Sequence, residues 1–188
     1  MELREKAHLM TSSEIERTLV HLAHEIVEKT EGIKDLAFVG VRRRGIYLAE
    51  RLARKISHMT SIEVPVGGLD IQEYRDDLTL RQTNPQVHAK QITFSLTGRD
   101  VVLVDDVLYT GRTARAALDA IFDHGRPRRI RLCVLIDRGG RELPIEASFV
   151  GKRVEAATRE VIEVRLKEAD ETEKVLLLEK LDTQAATG

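Results

Sequence analysis

Apolar residues recur along this chain in two rhythms, one of helical period and one of short unbroken runs. Ile15, Leu19, Leu22, Ala23, Ile26 and Val27 share one helical face and predict a helix over 12–30. Ser12 or Ser13 is placed to cap its start, and Gly32 follows its end. The run LAFVGV (36–41) predicts a strand, RRRG (42–45) a turn, and IYLAERLARKI (46–56) a second helix. IEVPVGGLDI (62–71) contains another strand. DVVLVDDV (100–107) and RIRLCVLI (129–136) are strand runs flanking a helical segment at 112–125, which Gly125 and Pro127 end. Beyond 137, short strand runs ASFV, VIEVRL and KVLLLE alternate with polar turns. Residues 72–91 are polar and aperiodic, too long for an ordinary loop, and predict a mobile functional loop or a hairpin excursion. The tail 182–188, DTQAATG, is expected to be disordered.

Alternating apolar strands and helices imply a mainly parallel sheet with helices on both faces, an α/β fold. One domain is expected over 1–188, with a loop near 72–91 and a small C-terminal hood near 137–180. In such sheets ligands sit beyond the carboxyl ends of the strands. Two unusual turns lie there: RRRG after 36–41 and DDVLYTGRT after 101–104.

Composition narrows the class. Hydrophobic residues make up 42% and charged residues 32%, as in a soluble globular chain. A formal net charge of -1 gives no whole-molecule attraction to nucleic acid or membrane, so a polyanion site must be a local basic patch. The lone cysteine, Cys133, lies in an apolar run and reads as core. No run has the length of a signal peptide or a membrane span, so a cytoplasmic protein is expected. Six scattered histidines show no metal spacing, and 4% aromatics argue against a base-stacking RNA platform.

VLVDDVLYTGRT (102–113) carries the chemistry. Adjacent carboxylates resist desolvation, so a core strand ending in Asp105 and Asp106 calls for a cation or a set of hydroxyls. Neighbours on a strand face opposite ways, so the pair suits two sugar hydroxyls or a hydrated magnesium rather than joint chelation. Gly111 admits a close anion, Thr110 and Thr113 offer hydroxyls, and a helix beginning near Arg112 offers free N–H groups. A capped strand–turn–helix would explain one acid and one threonine, but not both acids together with the glycine. No Walker phosphate loop and no two-glycine dinucleotide fingerprint occurs.

The stretch VVLVDDVLYTGRT resembles the phosphoribosyl diphosphate (PRPP) signature of type I phosphoribosyltransferases. GVRRRGIYLAERLA, DIQEYRDDL, DHGRPRRIRLCVLIDRGGRELPI and VGKRV resemble the pyrimidine operon regulator (PyrR) family, over about residues 10–180. The resemblance implies a type I phosphoribosyltransferase fold and a bifunctional protein. Such a protein binds pyr messenger RNA under uridine nucleotide (UMP, UTP) control and converts uracil and PRPP to UMP and diphosphate. It implies that Asp105 and Asp106 hold the ribose hydroxyls with Mg2+ nearby, that Thr110, Gly111, Arg112 and Thr113 wrap the 5-phosphate, and that Val107, Leu108 and Tyr109 belong to the same PRPP and UMP site. Arg43 and Arg44 match the diphosphate turn, and Arg75 and Arg81 a closing loop. Asp137 and Arg138 would lie near the uracil, with Arg138 grouped with the two acids as catalytic.

The chain departs from the family pattern in the diphosphate turn, in the hood, after VGKRV, and near the N-terminus at positions the family uses for RNA. Arg43-Arg44-Gly45 stands for T-R-G, and Gly140 replaces the histidine of D-R-G-H-R-E-L-P. VHLAHE (20–25) stands for T-R-I-A-H-E, keeping His24 and putting His21 at the arginine, and EAAT stands where P-T-S follows VGKRV. His21, His24, Arg141 and Lys152 are the RNA candidates, on a surface that Arg126, Arg128, Arg129, Arg131 and Arg153 could extend. The alternative is a uracil salvage enzyme with lost or altered RNA binding. A purine phosphoribosyltransferase shares the PRPP signature but not the RELPI stretch. A homodimer or higher homo-oligomer is implied by the resemblance.

Overall fold

The computed structural model describes residues 2–41, 43–71 and 91–181. Its centre is a five-stranded sheet in the order β3-β2-β4-β5-β6. The strands are β2 (Leu36–Val41), β3 (Val66–Leu69), β4 (Asp100–Leu108), β5 (Arg129–Asp137) and β6 (Phe149–Arg153), and all pairs are parallel. Every residue of β2 is buried, which is why this strand reads as an unbroken apolar run rather than an alternation.

Helices α1 (Ser12–Lys29) and α2 (Arg44–Thr60) cover one face, and α3 (Arg112–Asp123) the other. The period of two along β4 divides its side chains between them. Val102 and Val104 join the core with α1 and α2, while Val101 and Leu103 join the core with α3. Four alanines on α3 (Ala114, Ala116, Ala117, Ala120) let that helix lie close to the sheet.

A second, antiparallel sheet in the order β1-β8-β7 forms the hood. It comprises β1 (Glu2–Met10), β7 (Glu160–Arg165) and β8 (Lys174–Leu181), with the single-turn helix α4 (Lys167–Asp170) between the last two. Ile162, Val164, Val175 and Leu177 belong to the same buried cluster as α1 and α2, so hood and main sheet share one core.

The structure refines several expectations. Helix α1 is capped one residue earlier than Ser12, by Thr11, whose Oγ1 accepts from the Glu14 N–H at 3.2 Å while Glu14 accepts from the Thr11 N–H at 2.7 Å. Helix α2 is longer than 46–56 because it opens within the RRRG turn and runs on to Thr60. The run ASFV enters the main sheet as β6. The hood takes its third strand, β1, from the N-terminal segment. Among the described residues, no helix is long and apolar enough to cross a membrane.

Candidate active site

The acid pair sits at the carboxyl end of β4, where the parity of the strand sends the two side chains apart. Asp105 follows Leu103 toward α3 and lines a pocket of ≈ 220 Å³ with Val107, Leu108, Tyr109, Thr110, Gly111 and Thr113. Asp106 follows Val104 toward the face covered by α2. Each carboxylate accepts the N–H of the next residue, Asp106 N to Asp105 Oδ1 and Val107 N to Asp106 Oδ1, both at 2.9 Å. These bonds orient both carboxylates at the strand tip.

Gly111 ends the turn in the left-handed region (φ 93), which a β-carbon would disfavour, and α3 starts at the next residue. The Thr110 carbonyl accepts from the Glu142 and Leu143 N–H groups at 2.9 and 3.1 Å. The segment after β5 therefore braces the phosphate-sized turn from outside, and Arg112 pairs with Glu142 at 2.7 Å.

On the other side, α2 is drawn against the strand tips by two glycines. A β-carbon on Gly45 would lie 2.4 Å from the Val104 carbonyl oxygen, and one on Gly40 2.4 Å from the Ile46 Cα. The start of α2 thus lies beside the acid pair. Arg44 makes a bidentate pair with Asp170 of α4 (Nε to Oδ2 3.0 Å, Nη2 to Oδ1 2.8 Å), and Arg43 donates to the Ala169 carbonyl at 3.4 Å. Burial opposes the charged form of Asp170, yet Arg44 and the Leu166 N–H hold its carboxyl below the usual range.

Two arginines expected at a ligand, Arg138 and Arg141, make extensive contacts within the protein. Arg138 is buried, donates to the carbonyls of Glu160 (2.9 Å) and Ala157 (3.1 Å), and lies 3.8 Å over the Tyr109 ring. It backs the Tyr109 ring, which lines the pocket. Arg141 donates to the Ile145 and Tyr109 carbonyls at 2.8 and 3.0 Å and to Asp137 at 2.7 Å, so it brackets its own loop rather than a free surface. Asp137 also accepts from Arg153 at 2.9 Å and from the Gly139 N–H at 3.0 Å. Burial works against its charge, but these donors keep its carboxyl below the ordinary value.

The remaining basic candidates separate. Arg128 pairs with Asp100 at 2.9 Å, and Arg131 donates to the Lys29 carbonyl at 2.8 Å. His21 and Lys152 meet beside Gly151, with Met10, Glu14, Arg17 and Thr18, around a second pocket of ≈ 310 Å³. His24 is exposed one helical turn along α1. Arg17 was not singled out from the sequence, although its position four residues before His21 marks the same helix face. Arg75 and Arg81 lie outside the described residues.

Residues 8–169 match the phosphoribosyl transferase domain. Bifunctional protein PyrR of Thermus aquaticus is 57% identical over 178 residues, covering 95% of this chain and 98% of that one. The chain belongs to the PyrR family of phosphoribosyltransferases. Bifunctional protein PyrR of Deinococcus radiodurans is 53% identical over 179 residues, covering 95% and 98%. The fold is also that of a hypoxanthine-guanine phosphoribosyltransferase from Bacillus anthracis, with a TM-score of 0.68 at 20% identity over 94% and 99% of the two chains. As a member of this family, the protein is a bifunctional pyrimidine operon regulator and uracil phosphoribosyltransferase.

Proposed function

We propose that one nucleotide site, built from the tip of β4 and the starts of α2 and α3, serves both functions. The observation that carries this reading is the convergence of Asp105 and the 107–113 turn on one pocket, with Asp106 turned toward the diphosphate turn at Arg43-Arg44-Gly45. Asp105 and Asp106 hold the two ribose hydroxyls of PRPP, and Thr110, Gly111 and Thr113 receive its 5-phosphate at the start of α3. The start of α2 and Arg43 receive the diphosphate. Uracil lies against the Tyr109 wall. Its ring N1 forms the new bond to the anomeric carbon as the bond to diphosphate breaks; the electron pair leaves with diphosphate, and the N1 proton is taken up by a diphosphate oxygen. No covalent enzyme intermediate is needed.

The donor set also fits the metal its family implies. Among the described residues no three His, Cys, Asp or Glu side chains are grouped to form a metal cage. Two carboxylates beside a phosphorylated sugar suit Mg2+, which binds through one or two protein carboxylates plus substrate oxygens and water. When bound, Mg2+ would neutralise charge developing on the leaving diphosphate.

A radiolabelled-uracil assay with PRPP and Mg2+ tests the reading. Turnover no greater than that of a variant with Asp105→Asn and Asp106→Asn removes it. The RNA function is assigned to the face bearing His21, His24 and Lys152, where the pocket also brings Arg17. Affinity for a pyr leader RNA should rise with UMP and fall steeply with salt. Affinity indifferent to UMP would leave the salvage enzyme as the better reading.

A further inference from the structure

The contacts of α4 are more specific than a single turn of helix needs for its own folding. Three successive positions are each gripped by a different arginine near or on α2. Glu168 takes Arg51 through two bonds, 2.8 and 2.6 Å. The Ala169 carbonyl takes Arg43, and Asp170 takes Arg44. Arg44 and Arg51 are seven residues apart, two helical turns, and so point from the same face of α2. Glu173 adds a second carboxylate to Arg51 at 2.5 Å. Asp170 is itself fixed by the Leu166 N–H at 2.9 Å, so its carboxylate is aimed before Arg44 arrives.

Arg44 opens α2 beside the tip of β4, where a β-carbon on the next residue, Gly45, would lie 2.4 Å from the Val104 carbonyl oxygen and 3.3 Å from the Asp105 Cα. Asp170 therefore ties the first residue of α2, next to the acid-bearing strand tip, bidentately to the hood. We infer that Asp170 is a positioning residue for PRPP. It pins the start of α2 to the hood and so keeps the diphosphate turn in place for substrate. This inference rests on reading Arg43-Arg44-Gly45 as the diphosphate turn. Without Asp170, Arg44 is released from the hood and the diphosphate turn loses its fixed position.

The experiment separates PRPP from uracil. Asp170→Asn should raise the KM for PRPP about tenfold, with kcat at saturating PRPP and the KM for uracil within about twofold of wild type. Asp170→Glu, which keeps the charge, should recover most of the PRPP affinity. Glu168→Gln, which cuts the neighbouring contact, should lower the melting temperature and leave the KM for PRPP unchanged. Calorimetric titration of PRPP with Mg2+, without base, should show the same tenfold loss in Asp170→Asn. That arm is informative even if uracil turnover of the wild-type protein fails.

A lower KM for PRPP in Asp170→Asn overturns the inference, because Asp170 would then compete with diphosphate for Arg44. Equal changes in both KM values, or a change in melting temperature alone, also overturn it. If Asp170→Asn does not fold, Asp170→Glu with unaltered PRPP affinity supports the inference, and Asp170→Glu as weak as Arg44→Gln refutes it.

Discussion

Gly45→Ala is the most direct way to ask whether the packing of α2 against the strand tips matters. In an unconstrained helix, alanine is favoured over glycine by about 1 kcal/mol. Here the added β-carbon would stand 2.4 Å from the Val104 carbonyl oxygen and 3.3 Å from the Asp105 Cα. Ordinary contact begins near 3.4 Å, so the helix must retreat by about 1 Å or the strand must bend. Both obstacles are backbone, and neither can rotate away as a side chain would. Overpacking of this kind costs roughly 1–3 kcal/mol. Set against the propensity gain of about 1 kcal/mol, the variant should be less stable by up to about 2 kcal/mol, or a few degrees in Tm for a chain of this size.

The larger effect should be on activity. The displaced backbone carries Asp105, and the displaced helix opens the diphosphate turn. A misplacement of about 1 Å at such a site can cost on the order of 10²-fold in rate. Urea unfolding and kcat/KM for PRPP measure the two effects. A Gly45→Ala protein as stable as wild type, with undiminished kcat/KM, would refute the reasoning, since that is how an unconstrained helix glycine behaves.

Two further outcomes follow from buried chemistry. Cys133 is fully enclosed, and burial pushes its thiol well above the ordinary value, so a thiolate-directed alkylating reagent should label it only after unfolding; rapid labelling of the native protein would contradict the packing of β5. Asp100 is held below its usual range first by the hydrogen bond from Arg128, and Asp137 and Asp170 by their own arginines against the pull of burial. Carboxyls depressed on folding add stability at pH values above the unfolded value near 3.9 and lose it as the pH falls through their lower folded values. Urea midpoints should therefore hold above about pH 5 and fall steeply below about pH 4, with a shallower fall in Asp100→Asn; identical slopes in the two proteins would exclude the Arg128 pair as a cause.

What the sequence makes legible divides along physical lines. The strands of the main sheet announce themselves because both faces are buried, so β2, β4 and β5 are apolar runs with clear ends. The acid pair and the glycine at 111 stand out because they violate the core pattern where a ligand must be met. Strand β1 does not announce itself: of ELREKAHLM only Met10 is buried, so its pairing with β8 leaves almost no hydrophobic alternation to detect. Nor does a sequence reveal where an arginine's donors will be used. Arg138 and Arg141 have the same formula as Arg43, but carbonyls from 109, 145, 157 and 160 converge on them only in three dimensions. Thr11 as the cap of α1 was legible in T-S-S-E, since glutamate three residues after threonine is the capping-box spacing.

The pairing of β1 with β8 also sets an order of assembly. Arg4 and Glu179, which meet at 2.8 Å, are 175 positions apart along the chain. The main sheet from β2 to β6 can close on contacts between consecutive units, but β1 has no strand to join until β8 has been synthesised. Loop-closure entropy over that span must be overcome in one of the last steps. During translation β1 waits as an unpaired strand while the parallel sheet forms behind it. Its charged residues Glu2, Arg4, Glu5 and Lys6 suit that wait, because alternating charge on a bare strand discourages pairing with a second chain.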